Sequence, residues 1–379
     1  MLKKKCIGCG VELQFEDKTK EGYVPEEKFV TEENLLCQRC FKIKNYGQNL
    51  EHSFDKEDYL KEVTENVKKS DVIIPIFDII DFEGSFTEEI LDYLRDYRSI
   101  VVINKIDLLP DFVHPTEIAN WVKRRLAEED IVPDDIAFVS AKNKYGVNGI
   151  IRKIKTLFPN KKVKATVLGV SNVGKSSVIN LLLGKNKITT SKYSGTTLKS
   201  INNKIPDTNI TITDTPGLIP KEKRLSDMIS VETGLKLVPA GEISRKTFKL
   251  EEGQVFMFDA FCRFKVKENK SKNDIVEEKK YKPIFSVYSS KNVKFHLTKE
   301  ERVEELLEGD FFELLKGEEK KKYFENEFVT FKTTVKENED LVISGLGWIN
   351  VKRGPLAIEL TVPKGVKVIV RPSIFKGKK

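Results

Sequence analysis

Four short stretches of this chain carry residue types that together could handle a phosphorylated ligand. Gly169-Val170-Ser171-Asn172-Val173-Gly174-Lys175-Ser176, followed by Ser177, fits G-x4-G-K-[ST]. Its glycines let backbone N–H groups turn inward around β-phosphate oxygens at a helix N-terminus. Lys175 has the reach for the β- and γ-phosphates, and the Ser176 hydroxyl is a magnesium ligand. Asp214-Thr215-Pro216-Gly217 begins 39 residues past Lys175. A carboxylate there can hold Mg2+ through water, and the Gly217 N–H can sense a γ-phosphate. Between the two lies SGTTLKS, where Thr196 or Thr197 could add a hydroxyl to the magnesium of a bound triphosphate. Asn104-Lys105-Ile106-Asp107 sets the base: its carboxylate can accept both N1–H and the exocyclic N2–H2 of guanine, a donor pair that adenine lacks. A backbone N–H in Ser140-Ala141-Lys142 can meet the guanine O6. Together the four predict GTP or GDP with Mg2+ as the ligand.

A second chemistry lies near the start. Cys6, Cys9, Cys37 and Cys40 form two C-x2-C pairs with 27 residues between them. In a reducing compartment thiolates at this spacing suit a tetrahedral Zn2+, with Gly8 and Gly10 permitting the tight turns; a redox pair is the alternative. Cys262, in the apolar run FMFDAFCRF, reads as a buried small hydrophobe. His52, His114 and His296 adjoin no motif and are assigned no chemistry.

The elements that must position these residues alternate. DVIIPIFD, SIVVINK, IAFVSAK and KATVLGV are short apolar strands, each after the first preceded by a stretch of helical spacing: TEEILDYLRDY, PTEIANWVKRRLAEE and VNGIIRKIKTLF. That rhythm predicts an α/β domain, a parallel sheet with helices on both faces, and the motifs fall at the strands' C-terminal ends, where such sheets bind ligands. Pro75 conflicts with an interior strand, a conflict that a bulge there could relieve. The order of the motifs is unusual: N-K-x-D and S-A-K come before the phosphate loop, so the domain is circularly permuted and its new break falls just after D-x-x-G. Beyond Gly217 apolar runs such as QVFMFDAFCRF, KPIFSVYSS, NEFVTFKTTV, DLVISGLGWINV and KVIVRP predict a mostly β domain. A helix is expected over 298–315, and the charged stretches at 265–282 and 316–327 read as solvated loops. The boundaries expected are 1–48 for a zinc-finger module, 49–225 for the permuted G domain and 226–379 for the β-rich part.

With 379 residues, two or three domains are expected at roughly 150 residues each. No apolar run approaches the ~18 residues of a membrane span, and the basic start MLKKKCIGCG has no apolar stretch behind it. A cytoplasmic protein without a membrane partner is therefore expected. Net charge is +8, and from Lys352 onward eight Lys/Arg face one Glu, a basic tail that favours an anionic partner.

The four-cysteine module, the permuted motif order, the segment DIIDFEGS at 78–85 and the ending RPSIF resemble the permuted ribosome-assembly GTPases, and among them the YqeH family. The resemblance covers nearly the whole chain. It implies a GTPase assisting assembly of the small (30S) ribosomal subunit, with the outer domains binding rRNA or ribosomal proteins; a protein monomeric off the ribosome is expected. Similarity to GTPases with a G-T-T first switch selects Thr197 as the magnesium ligand. Leu218 stands where Ras-type enzymes carry a water-orienting Gln, so unaided hydrolysis should be slow. Related GTPases with an apolar residue there use K+, and Asn172 occupies the loop position that ligates it; shaping the loop is the alternative role for Asn172. Two other functions fit the same residues: a GTPase regulating a non-ribosomal protein partner, and a nucleotide-dependent scaffold with little hydrolysis.

Overall fold

The computed structural model describes residues 4, 6, 11–32, 35–38, 40–41, 56–184, 200–218, 220–239, 241–250, 253–270 and 282–375. Cys9, His52, Thr196 and Thr197 lie outside the described residues. The chain divides into two compact units, residues 1–107 with 124–221 and residues 108–123 with 222–379.

In the first unit β1 (Val72–Asp78), β2 (Ile100–Asn104), β3 (Asp135–Phe138), β4 (Val163–Leu168), β5 (Ile201–Lys204) and β6 (Ile210–Asp214) form one sheet in the order β3-β2-β1-β4-β6-β5. All neighbours are parallel except β5, which runs antiparallel to β6. Every residue of β1 and β2 is buried, as strands covered on both faces require. The helices follow the expected spacing: Glu88–Asp96 buries Ile90, Leu91 and Leu94, and Val147–Leu157 buries Val147, Ile150 and Ile154. The strand carries no bulge at Pro75. Ile73 pairs with Ser99 and Ile76 with Val102, one unbroken register, while Val72–Pro75 runs straight along β4. The missing N–H removes a rung on the β2 side without shifting the strand. Before the sheet, Val11, Leu13, Val24 and Leu35 pack with Cys6, Cys37 and Cys40 into a small core of their own.

The second unit is mostly β, as expected. Its strands are β7 (Ser244–Lys249), β8 (Gln254–Phe258), β9 (Cys262–Asn269), β10 (Ile284–Ser289), β11 (Phe295–Lys299), β12 (Phe328–Val335), β13 (Glu339–Ile343), β14 (Gly347–Arg353), β15 (Leu356–Pro363) and β16 (Val368–Pro372). They form two five-stranded antiparallel sheets, β16-β13-β14-β10-β7 and β11-β8-β9-β15-β12. Alternate residues Phe285, Val287, Ile349, Val351, Leu341 and Ile343 of the first sheet share one apolar core with Phe256, Phe264, Ile358 and Leu360 of the second. Two apolar runs that resemble single strands are hairpins. QVFMFDAFCRF turns at Asp259, and DLVISGLGWINV turns at Gly345, where φ is +77° and an added Cβ would lie 2.7 Å from Ser226 Oγ. Cys262 is buried as expected, and burial pushes its thiol far above the ordinary range.

Two local expectations give way. The helix expected over 298–315 is α-helical from Val303 to Glu308 and stops at Gly309. The charged run 316–327, expected as a loop, contains the helix Gly317–Phe324; it drives Tyr323 into the core, where its hydroxyl donates to Phe261 O at 2.7 Å. Charge along the exposed face hid an aromatic anchor.

The far face of the first sheet of this unit holds a buried polar row. Asn350 Nδ2 donates to Asp340 Oδ1 (2.7 Å) and Ser373 Oγ (2.8 Å), and Arg371 Nε lies 3.7 Å from Asp340 Oδ2. Burial, opposed by Arg371, raises the Asp340 pKa. Residues 108–123 lie against this face: Trp121 Nε1 donates to Pro372 O (2.9 Å), the Arg371 guanidinium sits 4.9 Å from the Trp121 ring centre, and Phe112 meets Phe375 edge-on. Arg371 is 2% exposed. It is thus an internal ion-pair partner rather than part of a basic surface, and the basic stretch from Lys352 offers fewer free cations than its composition implied. Lys352 is itself half-buried, and desolvation together with Arg245 lowers its pKa. Among the described residues no helix is long and apolar enough to cross a membrane.

Candidate functional site

The phosphate-loop residues occupy the turn from β4 into the helix Lys175–Leu182, which Gly174 caps at φ +96°. Lys175 is buried and its Nζ donates to the carbonyls of Gly169 (2.9 Å) and Val170 (3.0 Å). The D-x-x-G stretch lies against this loop. Asp214 ends β6 in register with Val167, Thr215 Oγ1 donates to Val167 O, and Leu218 N donates to Gly169 O at 3.1 Å. A Cβ on Gly217 would come within 2.9 Å of Ser171 Oγ and 3.3 Å of Lys175 Nζ, so glycine permits this approach. Leu218 is buried, and Asn172 is exposed with φ +67°, a left-handed conformation that Asn tolerates.

The N-K-x-D and S-A-K stretches close on the same sheet edge. Asn104, at the end of β2, donates from Nδ2 to Val173 O (2.8 Å) and accepts from Ala141 N (3.1 Å). One buried amide thereby fastens the phosphate loop to both of the other stretches. A Cβ on Gly174 would sit 2.3 Å from that Nδ2. Ser140 Oγ donates to Asp107 Oδ1 at 2.6 Å, which orients the carboxylate, and Lys142 is exposed on the same turn. Every described residue of the four stretches therefore meets along one edge, from Asp107 at β2 to Asp214 at β6. That edge can hold a base at one end and a triphosphate at the other. The Ser176 hydroxyl and the Asp214 carboxylate supply the hard oxygen donors Mg2+ prefers, and the glycines leave the concavity open.

Asp78 and Glu83 carry no assigned role in the motif reading. Asp78 Oδ2 takes Lys105 Nζ at 2.5 Å, and Glu83, fully buried, pairs both carboxylate oxygens with Arg125 at 3.2 Å. For Asp78, a carboxylate closing the otherwise apolar strand VIIPIFD was the available signal.

At the N-terminal module the Sγ atoms of Cys6, Cys37 and Cys40 lie within 4.8 Å of one another, all buried. Cys37 N donates to Cys6 Sγ (3.2 Å) and Cys40 N to Cys37 Sγ (3.5 Å). Backbone donors aimed at sulfur favour thiolate, so the cluster could hold a metal ion.

Three family models match: "Elongation factor Tu GTP binding domain" over residues 56–160, "50S ribosome-binding GTPase" over 164–289, and "YqeH-like, C-terminal" over 282–374. With the motif order and the sheet, these define the class: a circularly permuted, GTP-hydrolysing enzyme that binds GTP and GDP with Mg2+. Within that class the chain belongs to the YqeH family, being 33% identical over 383 residues to YqeH of Bacillus subtilis (strain 168), with 99% of this chain and 100% of that protein covered. It is also similar to NO-associated protein 1, chloroplastic/mitochondrial, of Arabidopsis thaliana, 25% identical over 98% of this chain and 76% of that one. The solved structure of YjeQ from Thermotoga maritima matches 41% of this chain and 52% of that one at 23% identity and a TM-score of 0.26.

Proposed function

We propose that this protein is a cytoplasmic GTP-driven switch that assists assembly of the small ribosomal subunit, docking on rRNA, ribosomal proteins or both and monomeric when released. One observation carries the switching part of this reading. The segment after Gly217 runs within a few residues into the second unit, where Lys223 N donates to Gly365 O, Lys367 N to Lys223 O and Leu225 N to Ser344 O. A γ-phosphate contact at Gly217 therefore pulls on a chain already tied into the β-rich part. Family membership supports the ribosomal partner. One matching family model is described by the large subunit, so the choice of subunit is what an experiment must decide. Tagged protein sedimented with ribosomal fractions should follow the small subunit with a GTP analogue. Migration with the large subunit, or with neither, contradicts the assignment.

Within the site, Asp107 reads the base, Ser140–Lys142 meets O6, Gly169–Ser177 wraps the phosphates, and Ser176, Asp214 and Thr197 surround Mg2+. Zn2+ fills the Cys6, Cys9, Cys37 and Cys40 cluster. Leu218 cannot orient water, so hydrolysis is slow until stimulated, and K+ at Asn172 supplies positive charge to the transition state. Replacing Na+ by K+ should then raise GTP turnover. Asn172→Gly, which keeps the left-handed backbone, should erase the difference, whereas equal rates in both salts would end the potassium role.

A further inference from the structure

The segment DIIDFEGS is built around Asp78. In the sheet order β1 lies between β2, which ends in N-K-x-D, and β4, which leads into the phosphate loop. Asp78 is in register with Asn104. A nucleoside reaching from Asp107 to Gly169–Ser176 must cross the end of β1. There the Asp78 carboxylate divides its oxygens: Oδ2 accepts Lys105 Nζ, and Oδ1 accepts Ile80 N at 3.0 Å. The surrounding residues fix that geometry. Asp78 N donates to Ser85 Oγ (3.1 Å), which donates to Phe82 O (3.0 Å). Gly84 makes room for the Asp81 carboxylate, whose Oδ2 would be 2.4 Å from a Cβ. Phe82 and Phe86 pack on Phe77, and Glu83 is tied to Arg125. Lys105 in turn sits at φ +66°, a left-handed conformation uncommon for a lysine.

We propose that Asp78 is a positioning residue for the guanine nucleotide: its ion pair with Lys105 lays the lysine's aliphatic stem along the crevice between β2 and β4, where it walls the nucleoside and slows its escape. The inference rests on the reading of Asn104–Asp107 as the base-selecting stretch. Asp78 need not touch the nucleotide; it acts through Lys105, by a charge-assisted contact between two partly buried side chains.

The test uses full-length protein and a fluorescent GDP analogue, with dissociation rates measured for Asp78→Asn, Lys105→Met and the double variant, alongside thermal melting without nucleotide. Each single change should speed GDP release about tenfold, and the double variant should release no faster than either, because both remove one interaction. Multiplying effects, or a lowered melting temperature with GDP release unchanged, would make Asp78 a mere brace of its turn and overturn the proposal. Should Asp78→Asn not fold, Asp78→Glu keeps the charge: it should hold GDP within about threefold of the parent while Lys105→Met loses about tenfold. Lys105→Met indistinguishable from the parent overturns the proposal as well. Failure of the underlying base reading looks different. It appears as an unaltered preference for GDP over xanthosine diphosphate in Asp107→Asn, whatever the Asp78 and Lys105 variants do.

Discussion

Asp107→Asn should lose GTP by a factor of ~10⁴ and bind xanthosine triphosphate in its place. The carboxylate accepts two guanine donors, and an amide presents a donor where one of them arrives. The structure adds the orientation. Ser140 Oγ already donates to Asp107 Oδ1, and in the variant the amide oxygen keeps that hydrogen bond, which turns the NH2 toward the base. There it donates to the C2 carbonyl of xanthine. Because Asn104, not Asp107, ties the three stretches together, the substitution should leave the fold intact. Equilibrium titrations with both nucleotides decide it; undiminished GTP affinity would show that Asp107 does not select the base.

Cys37→Ser should release about one zinc per chain and unfold the small module around it. Among the described residues its buried aliphatics are Val11, Leu13, Val24 and Leu35, few for apolar packing alone, and the three described thiols sit among them. Cys37 is the central thiol of the three, accepting from Cys40 N while its own N–H donates to Cys6 Sγ. Elemental analysis should find zinc in the parent and none in the variant, with GTP binding retained because the sheet of the first unit has a separate core. A parent that carries no zinc would refute the metal.

The nucleotide stretches were legible because each is local. A few consecutive residues at a strand's end declare their chemistry, and the strands declare themselves by unbroken apolar runs such as SIVVI. What stayed hidden depends on register or on distant contact. Asp78 finds Lys105 because β1 and β2 align, which no spacing along the chain reveals. Trp121 looked like an ordinary helix position, yet its indole donates to a carbonyl 251 residues away. Residues 108–123, directly after N-K-x-D, therefore group with the C-terminal strands. Arg371 looked like one more cation of a basic tail; its partners, Asp340 and the Trp121 ring, come from other elements. The run KGEEKKKYF read as solvated because its single buried residue, Tyr323, was outvoted by charge.

These contacts also decide how the switch is tested. Cutting the chain after 225 would strip Trp121 and Phe112 of Pro372, Arg371 and Phe375 immediately downstream of the guanine stretch, so a truncated protein confounds switching with misfolding. Intact protein is required. Ordering of the Asp214–Gly217 segment by triphosphate, and its relaxation after hydrolysis, should alter what the second unit presents to its partner. The decisive measurement is titration of full-length protein against purified small subunits with a GTP analogue and with GDP, each at two salt concentrations. A nucleotide-driven switch predicts affinities that differ between the two states by about 5- to 150-fold, at both salts. Equal affinities in the two states, falling together with salt as a charged tether's would, contradict it.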